Sequence, residues 1–584
     1  MKATLASQAV TALRRGFSGP VGWRDHVVGC AIALAYLAWL LSTAPELGFP
    51  RDEGFYFQAA TQYAAWWRML LERGSDALQR GAIDSAWGFN HEHPALMKTL
   101  FGISEYLLHQ KWHLLSEAST AFRLPGMTFA AAAVWTTYVF GARAWNRRTG
   151  LSAAILFALM PRVFFHAHLA CFDVPITAMW ILCVYVHWRA QAGRSIGWAL
   201  AVGIVYGLAL ETKHNAWLIP VALVPHALFV HRRAIARGLA AGRLSLPTSL
   251  VSMAIVGPLV FYALWPYLWS DTFARVQWYV EFHLNHEYYN IEFLGKNYFG
   301  PPSPKSYLPV MVLATVPAVT LLLFGVGTVD RAIVGLRRLD AWARRLLRRV
   351  AGGASRPTAT DGDVPPRDPL ETDLLLFLSL AVAVGPFFLP ATPIFGGTKH
   401  WMPAYPILAL IAGRGFDIVA SAMRAALPRL DARRWAMAEG ALWTSVVAAP
   451  LAVTAHSFPF GLSAYVPLVG GTAGGADLGL NRQFWGFTSQ NAAEEYLNTN
   501  APRGAPVFIH DTTWEAWGRM QQEGRVRGDL RAVGAPGEAT MALVQHELHM
   551  NEVDYSIWVA LGTDAPAYIV EHDGVPIVSV YQRK

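Results

Sequence analysis

Two adjacent carboxylates, Asp52 and Glu53, stand in the run Phe49-Pro50-Arg51-Asp52-Glu53-Gly54-Phe55-Tyr56, directly after the first long apolar stretch of the chain. Carboxylates at a membrane–water border are costly to desolvate, so a pair there points to function; as plain structure it would stop a helix and sit in water. Further on, Asn90-His91-Glu92-His93-Pro94-Ala95-Leu96-Met97-Lys98 puts imidazoles, a carboxylate and an ammonium within one short segment. A catalytic cleft needs a base for one substrate and cations for an anionic one. Both are supplied between residues 52 and 98.

The rest of the chain has to position them. Of 584 residues, 54% are hydrophobic and 15% charged, and 23 are Trp, whereas a soluble domain carries about 25% charged residues. This composition predicts a polytopic α-helical membrane protein and excludes disordered, collagenous and disulfide-stapled chains. Cys30, Cys171 and Cys183 read as small apolar packing residues. A bilayer span needs about 20 mostly apolar residues. The clearest candidates are 27–45, 124–142, 244–270, 306–329, 374–398 and 440–456, and weaker ones are 149–161, 174–188, 195–210, 215–230 and 401–413. The expectation is about eleven transmembrane helices.

Lys and Arg in short loops favour the cytoplasmic side. With the N-terminus inside, one face collects Arg14, Arg15 and Arg24; Arg143, Arg147 and Arg148; Arg189 and Arg194; and Arg232, Arg233 and Arg237. The same face collects Arg337, Arg338, Arg344, Arg345, Arg348 and Arg349, then Arg424, Arg429, Arg433 and Arg434. The net charge of +8 is therefore mainly a topology signal rather than a sign of nucleic acid. The first apolar run is too long for a cleavable signal peptide and lacks its small-residue site. The division expected is a cytoplasmic N-terminus, 1–26; a transmembrane domain, 27–456; and an extracytoplasmic C-terminal α/β domain, 457–584. Within the transmembrane domain, 46–120 is the first external loop, folded into short surface-lying helices. Residues 330–372 are cytoplasmic, with a flexible linker from Ala351 to Asp368. In the tail, 505–511 reads as a strand, the segment after it as a helix, and 567–581 as a hairpin turning at Asp573-Gly574.

The acidic pair with its aromatic run after the first span, followed by His-Pro-x-Leu-x-Lys, resembles the first luminal loop of polyprenyl-phosphate-sugar-dependent glycosyltransferases. These are membrane enzymes of the GT-C fold that include protein O-mannosyltransferases and bacterial aminoarabinose transferases. The likeness continues through Arg123-Leu124-Pro125, Pro161-Arg162, Cys171-Phe172-Asp173-Val174-Pro175, Glu211-Thr212-Lys213-His214-Asn215 and Gly397-Thr398-Lys399-His400-Trp401-Met402-Pro403, over roughly residues 27–420. His214 stands where an aromatic is more usual. His93-Pro94-Ala95 lacks a second proline, and His93 matches the mannosyltransferase form rather than the lysine of the aminoarabinose branch. The tail resembles none of the repeat-type luminal inserts of eukaryotic mannosyltransferases, which points to a bacterial branch.

The resemblance implies a sugar moved from a polyprenyl-phosphate carrier to an envelope hydroxyl with inversion at the anomeric carbon, in a bacterial inner membrane. Asp52 matches the general base, with Glu53 as a neighbour that either orients it or is merely solvated, and Asp173 as a second acid that binds substrate or steers the base, or else as a plain helix N-cap. The carrier phosphate calls for cations or donors. Lys213, Lys399, His400, Arg123 and Arg162 lie on the external side with Asp52, and Tyr56, His93 and Lys98 join them in substrate binding. His166 and His168 read as interfacial polar groups. No cofactor is required, and no nucleotide-binding motif is found. A divalent metal ion, carried here by some relatives, has Glu92, His283 and His286 as its candidate ligands. The rival readings are a transporter or flippase for a lipid-linked or anionic substrate, and a non-catalytic relative whose tail binds an envelope partner. Alternating access favours internal repeats and mid-membrane polar groups. No clear repeat is found, and the ionisable residues cluster at span ends.

Overall fold

The computed structural model describes residues 20–193, 195–350, 368–394, 396–483, 491–547 and 551–584. Residues 351–367, most of the expected linker, lie outside the described residues. The chain opens with α1 (Trp23–Thr43), whose apolar run makes a helix without an amphipathic stripe, followed by α2 (Arg51–Arg73), α3 (Arg80–Trp87) and α4 (Leu96–Glu105). Next come α5 (Ala118–Ala144), α6 (Arg147–Ala158), α7 (Pro161–Ala167), α8 (Asp173–Ala190), α9 (Ile196–Leu210), α10 (Ile219–Ala240), α11 (Thr248–Leu264) and α12 (Thr272–Leu284). After a small hairpin, β1 (Ile291–Phe293) and β2 (Lys296–Tyr298), the helical part ends with α13 (Tyr307–Thr315), α14 (Ala318–Val350), α15 (Pro369–Val384), α16 (Tyr405–Ala426) and α17 (Ala432–Ser457).

Each expected span falls wholly or mostly on helix, so the protein is a multi-pass helical membrane protein. Among the described residues, six helices are long and apolar enough to cross a bilayer: Trp23–Glu46, His214–Ala240, Ala318–Ala341, Pro369–Phe388, Gly397–Ala426 and Ala432–Ser457. The count is seven if α6 and α7, bent by 69° at Pro161, form one span. The count of eleven is not reached by this measure. α9 and α11 are short, with 15 and 17 residues, while α8 is almost wholly enclosed by other helices and so need not be uniformly apolar. Two further expectations are corrected. The single span at 306–329 is broken before Pro317, which cannot donate to a preceding turn, and α14 runs on as helix to Val350. The first loop does not consist only of short helices, since α2 is 23 residues long and buries Glu53, Tyr56 and Phe57.

Small residues let helices approach closely, as is usual where lipid offers no hydrophobic drive to association. A Cβ on Gly327 of α14 would lie 2.0 Å from the Ile411 carbonyl oxygen of α16. A Cβ on Gly415 would lie equally close to the Leu323 carbonyl oxygen.

Beyond α17 the chain forms the α/β domain. It has a short α18 (Gly471–Asp477), α19 (Asn491–Asn500), β3 (Pro506–Ile509), α20 (Trp514–Gln522), β4 (Arg531–Val533), β5 (Met541–Gln545), α21 (Asn551–Leu561), β6 (Tyr568–His572) and β7 (Val575–Gln582). The sheet order is β4-β3-β5-β7-β6, with β3 parallel to β4 and β5, and β7 antiparallel to β5 and β6. Asp573 and Gly574, both at positive φ, connect β6 to β7 in the two-residue turn that Asp-Gly favours.

α5 fixes how the two parts relate. At its start, the Ser119 amide and hydroxyl donate to Glu523 of the C-terminal domain at 2.6 and 2.8 Å. Near its far end, Arg143 shares a cavity of about 790 Å³ with Arg147, Arg148, Arg189 and Asp417. Ser119 and Arg143 are separated by roughly 36 Å at 1.5 Å per residue, close to a bilayer's thickness. The C-terminal domain and this arginine cluster therefore occupy opposite ends of the bundle.

Candidate active site

Pro50 caps α2, and Asp52 and Glu53 fall in its first turn, where the free amides and the helix dipole favour negative charge. Their surroundings then separate them. Glu53 is fully buried and receives Arg123 in a fork, Nε to Oε1 at 3.0 Å and Nη2 to Oε2 at 2.6 Å. The Ala170 amide donates to the same carboxylate at 2.7 Å. Arg123, also fully buried, donates its remaining hydrogens to the carbonyls of Leu47, Gly48 and, at 3.5 Å, Ala44. The pair thus clamps the turn between α1 and α2, and Arg123 has no donor directed at a ligand. Asp52, one position earlier, remains partly exposed, with Arg51 Nε 3.6 Å from its Oδ1.

Asp173 opens α8 without capping it; its Oδ1 accepts from Lys213 Nζ at 2.6 Å, both side chains being nearly buried. Lys399, on the 3₁₀ turn ahead of α16, interacts electrostatically with both Asp173 and Asp52. Two carboxylates from α2 and α8 and two ammonium groups from the starts of α10 and α16 therefore converge on one region. His400 lies beside the Phe387 ring at 5.8 Å and is half-buried. Arg162 lies deeper, donating to the Leu462 carbonyl with its guanidinium over the Tyr465 ring.

The wall next to Asp52 is aromatic. The Tyr56 ring lies 4.5 Å from Phe172 and 5.9 Å from His93, and His93 lies 4.9 Å from Phe172. Burial pushes the Tyr56 hydroxyl well above its ordinary pKa, reinforced by the charge of Asp52. Burial, helped by Lys98, pushes His93 well below its own, so its imidazole is neutral at neutral pH.

Lys98 is placed differently from its expected role in binding substrate. Fully buried, it donates to the carbonyls of Asn90 and His93 and lies 4.9 Å from the Tyr63 ring centre. It shapes the 90–93 turn, in which Asn90 adopts positive φ, and burial brings its pKa down to about 7. Nearby Glu211, buried at the end of α9, is pushed well above the carboxylate range by its own burial.

The proposed metal ligands do not converge. His283 Nε2 meets the main-chain oxygen of Glu92 at 2.9 Å, the Glu92 carboxylate accepts from Asn90, and His286 Nδ1 meets the Glu287 carbonyl oxygen. Among the described residues, Glu92, His283 and His286 do not bring three ligand atoms within 4.8 Å of one another. His168 is a satisfied core group, bonded to Thr43 Oγ1 and the Phe164 carbonyl oxygen, both at 2.8 Å.

One participant was hidden from sequence reasoning. Arg51, next to Asp52, donates to Asp511 of the C-terminal domain at 2.8 Å. A Cβ on Gly54 would lie 2.3 Å from Thr513 Oγ1 and 2.7 Å from the Ala516 amide, so glycine lets α20 seat directly on the first turn of α2. The only local signal was an arginine preceding the acidic pair.

Residues 103–265 match the family described as dolichyl-phosphate-mannose-protein mannosyltransferase, in line with the resemblance read from the motifs. No curated protein sequence matches the chain. Among solved structures, the chain is similar to ArnT from Cupriavidus metallidurans bound to undecaprenyl phosphate, at 16% identity and a TM-score of 0.45, covering 95% of this chain and 97% of that one. It is also similar to the oligosaccharyltransferase AglB from Archaeoglobus fulgidus in complex with an inhibitory peptide and a dolichol-phosphate. There the identity is 12% and the TM-score 0.46, with 88% of this chain and 65% of that one covered.

Proposed function

We propose that the protein is a membrane glycosyltransferase that moves a hexosyl- or pentosyl-type sugar from a polyprenyl-phosphate carrier to an envelope hydroxyl on lipid, glycan or protein. The observation that carries this reading is the juxtaposition of a partly exposed carboxylate, Asp52, with the Asp173–Lys213 pair and Lys399. The glycosyltransferase family matched over residues 103–265 supports it.

In the reaction, Asp52 takes the proton of the acceptor hydroxyl as its oxygen attacks the anomeric carbon from the face opposite the phosphate. The bond from that carbon to the phosphate oxygen breaks with inversion, and the electron pair leaves on the phosphate. Lys213 and Lys399 stabilise the departing anion, and preorganised charge of this kind is usually the largest single contribution to catalysis. Asp173 holds the Lys213 ammonium in place. Tyr56 and His93 form the wall for the sugar, His400 lies near the carrier, and Glu53 with Arg123 positions the turn that presents Asp52. No step needs a metal or a nucleotide. We place the protein in a bacterial inner membrane with the N-terminus cytoplasmic and Asp52 and the C-terminal domain on the periplasmic side.

Purified protein incubated with synthetic mannosyl- or aminoarabinosyl-phosphate polyprenols and envelope extract should release polyprenyl phosphate and label one acceptor class. Comparing envelope lipids, glycans and periplasmic proteins of a deletion strain by mass spectrometry should show the same sugar mass missing. Movement of intact donor across a vesicle without cleavage would instead indicate a flippase.

A further inference from the structure

The outer end of α17 and the β6–β7 turn meet outside the candidate active site. His456 projects from the last turn of α17, and its Nε2 lies 2.8 Å from Asp573 Oδ1. The neighbouring His572 ends β6, with its Nε2 3.9 Å from Asp573 Oδ2. One ligand atom from each of the three residues lies within 4.8 Å of the other two. A tetrahedral zinc ion with bonds near 2.0–2.1 Å needs ligand atoms about 3.3 Å apart. Modest side-chain rotation closes that difference.

A second observation points to a ligand. The His572 side chain is 8% exposed, yet its buried Nε2 has no hydrogen-bond partner while facing the Asp573 carboxylate. An imidazole nitrogen enclosed without a hydrogen bond costs free energy that a bound cation would recover. The Phe460 ring stacks on the His572 imidazole at 4.8 Å, and the His456 ring lies 5.1 Å away. Asp573 stands at φ 52 in the tight turn, and its two carboxylate oxygens face one histidine each, Oδ1 to His456 and Oδ2 to His572.

We propose that His456, His572 and Asp573 form a binding site for a divalent transition-metal ion, zinc being the best match to two imidazoles and one carboxylate, with water in the fourth position. The ion joins the last membrane helix to the sheet of the C-terminal domain. It has no part in the transfer reaction.

The test uses the full-length protein in detergent, stripped with a chelator and titrated with Zn²⁺ alone. Wild type should take up one equivalent and unfold at a higher temperature with zinc than without. Asp573→Asn retains a residue that tolerates positive φ, and His456→Ala removes an exposed side chain. Each should bind zinc at least tenfold more weakly and lose the thermal shift. Cobalt should give wild type the visible absorption of a tetrahedral site, weakened in both variants. Equal zinc uptake and equal thermal shifts in wild type and both variants would overturn the proposal, as would no uptake by wild type.

Discussion

Arg123 Nη2 and Glu53 Oε2 meet at 2.6 Å with neither side chain exposed, although 70 residues separate them. Removing one member of such a pair leaves the other charged and enclosed. Glu53→Gln should therefore destabilise the protein by about 3–5 kcal/mol, read as a lowered unfolding temperature in detergent. If Glu53 instead contacted substrate, the variant would retain wild-type stability and lose only turnover.

Asp52 presents the opposite profile. Asp52→Asn should reduce sugar transfer at least about 100-fold, the usual scale for losing a general base, while leaving the unfolding temperature within a degree or two of wild type. Single-turnover assays with preloaded donor measure this directly. Wild-type turnover by the variant would remove Asp52 from the reaction.

Lys98 gives a pH dependence whose sign follows from its burial. Its pKa falls from 10.5 to about 7 on folding, so between these values the unfolded chain binds the additional proton and stability rises with pH. Below about pH 7 the buried ammonium is charged and the destabilisation is fully present. Lys98→Met should flatten the rise between pH 7 and 10 relative to wild type. Parallel stability curves would show that Lys98 contributes nothing to the slope.

Arg51 and Asp511 test the seam between the two parts of the chain. Arg51 is 39% exposed on its side chain, so its pair with Asp511 should contribute under about 1 kcal/mol to stability. Arg51→Ala and Asp511→Asn should each speed proteolytic release of the C-terminal domain, and the double variant should release it no faster than the more affected single. Additive effects would mean the two residues act independently.

The sequence was most informative where local chemistry decides conformation. Asp573-Gly574 turns the hairpin because both positions tolerate positive φ, and the apolar runs became helices because lipid leaves the backbone few alternatives. It was least informative about what a charge faces. Arg123, Lys98 and Lys213 all read as external cations, yet one is bonded to Glu53, another to the 90–93 turn, and only Lys213 reaches Asp173. Arg51 and Asp511 are 460 positions apart, and no pattern along the chain links them.

The seating of α20 on the first turn of α2, with Arg525 donating to the Leu47 carbonyl and Glu523 bonded to Ser119, bears on how such proteins can be recombined. A graft that exchanges everything after residue 457 would bring a foreign helix against Gly54 and leave Arg51 facing a stranger's surface. A workable chimera has to carry residues 44–54 and 117–119 with the tail, as one inherited cassette discontinuous in sequence.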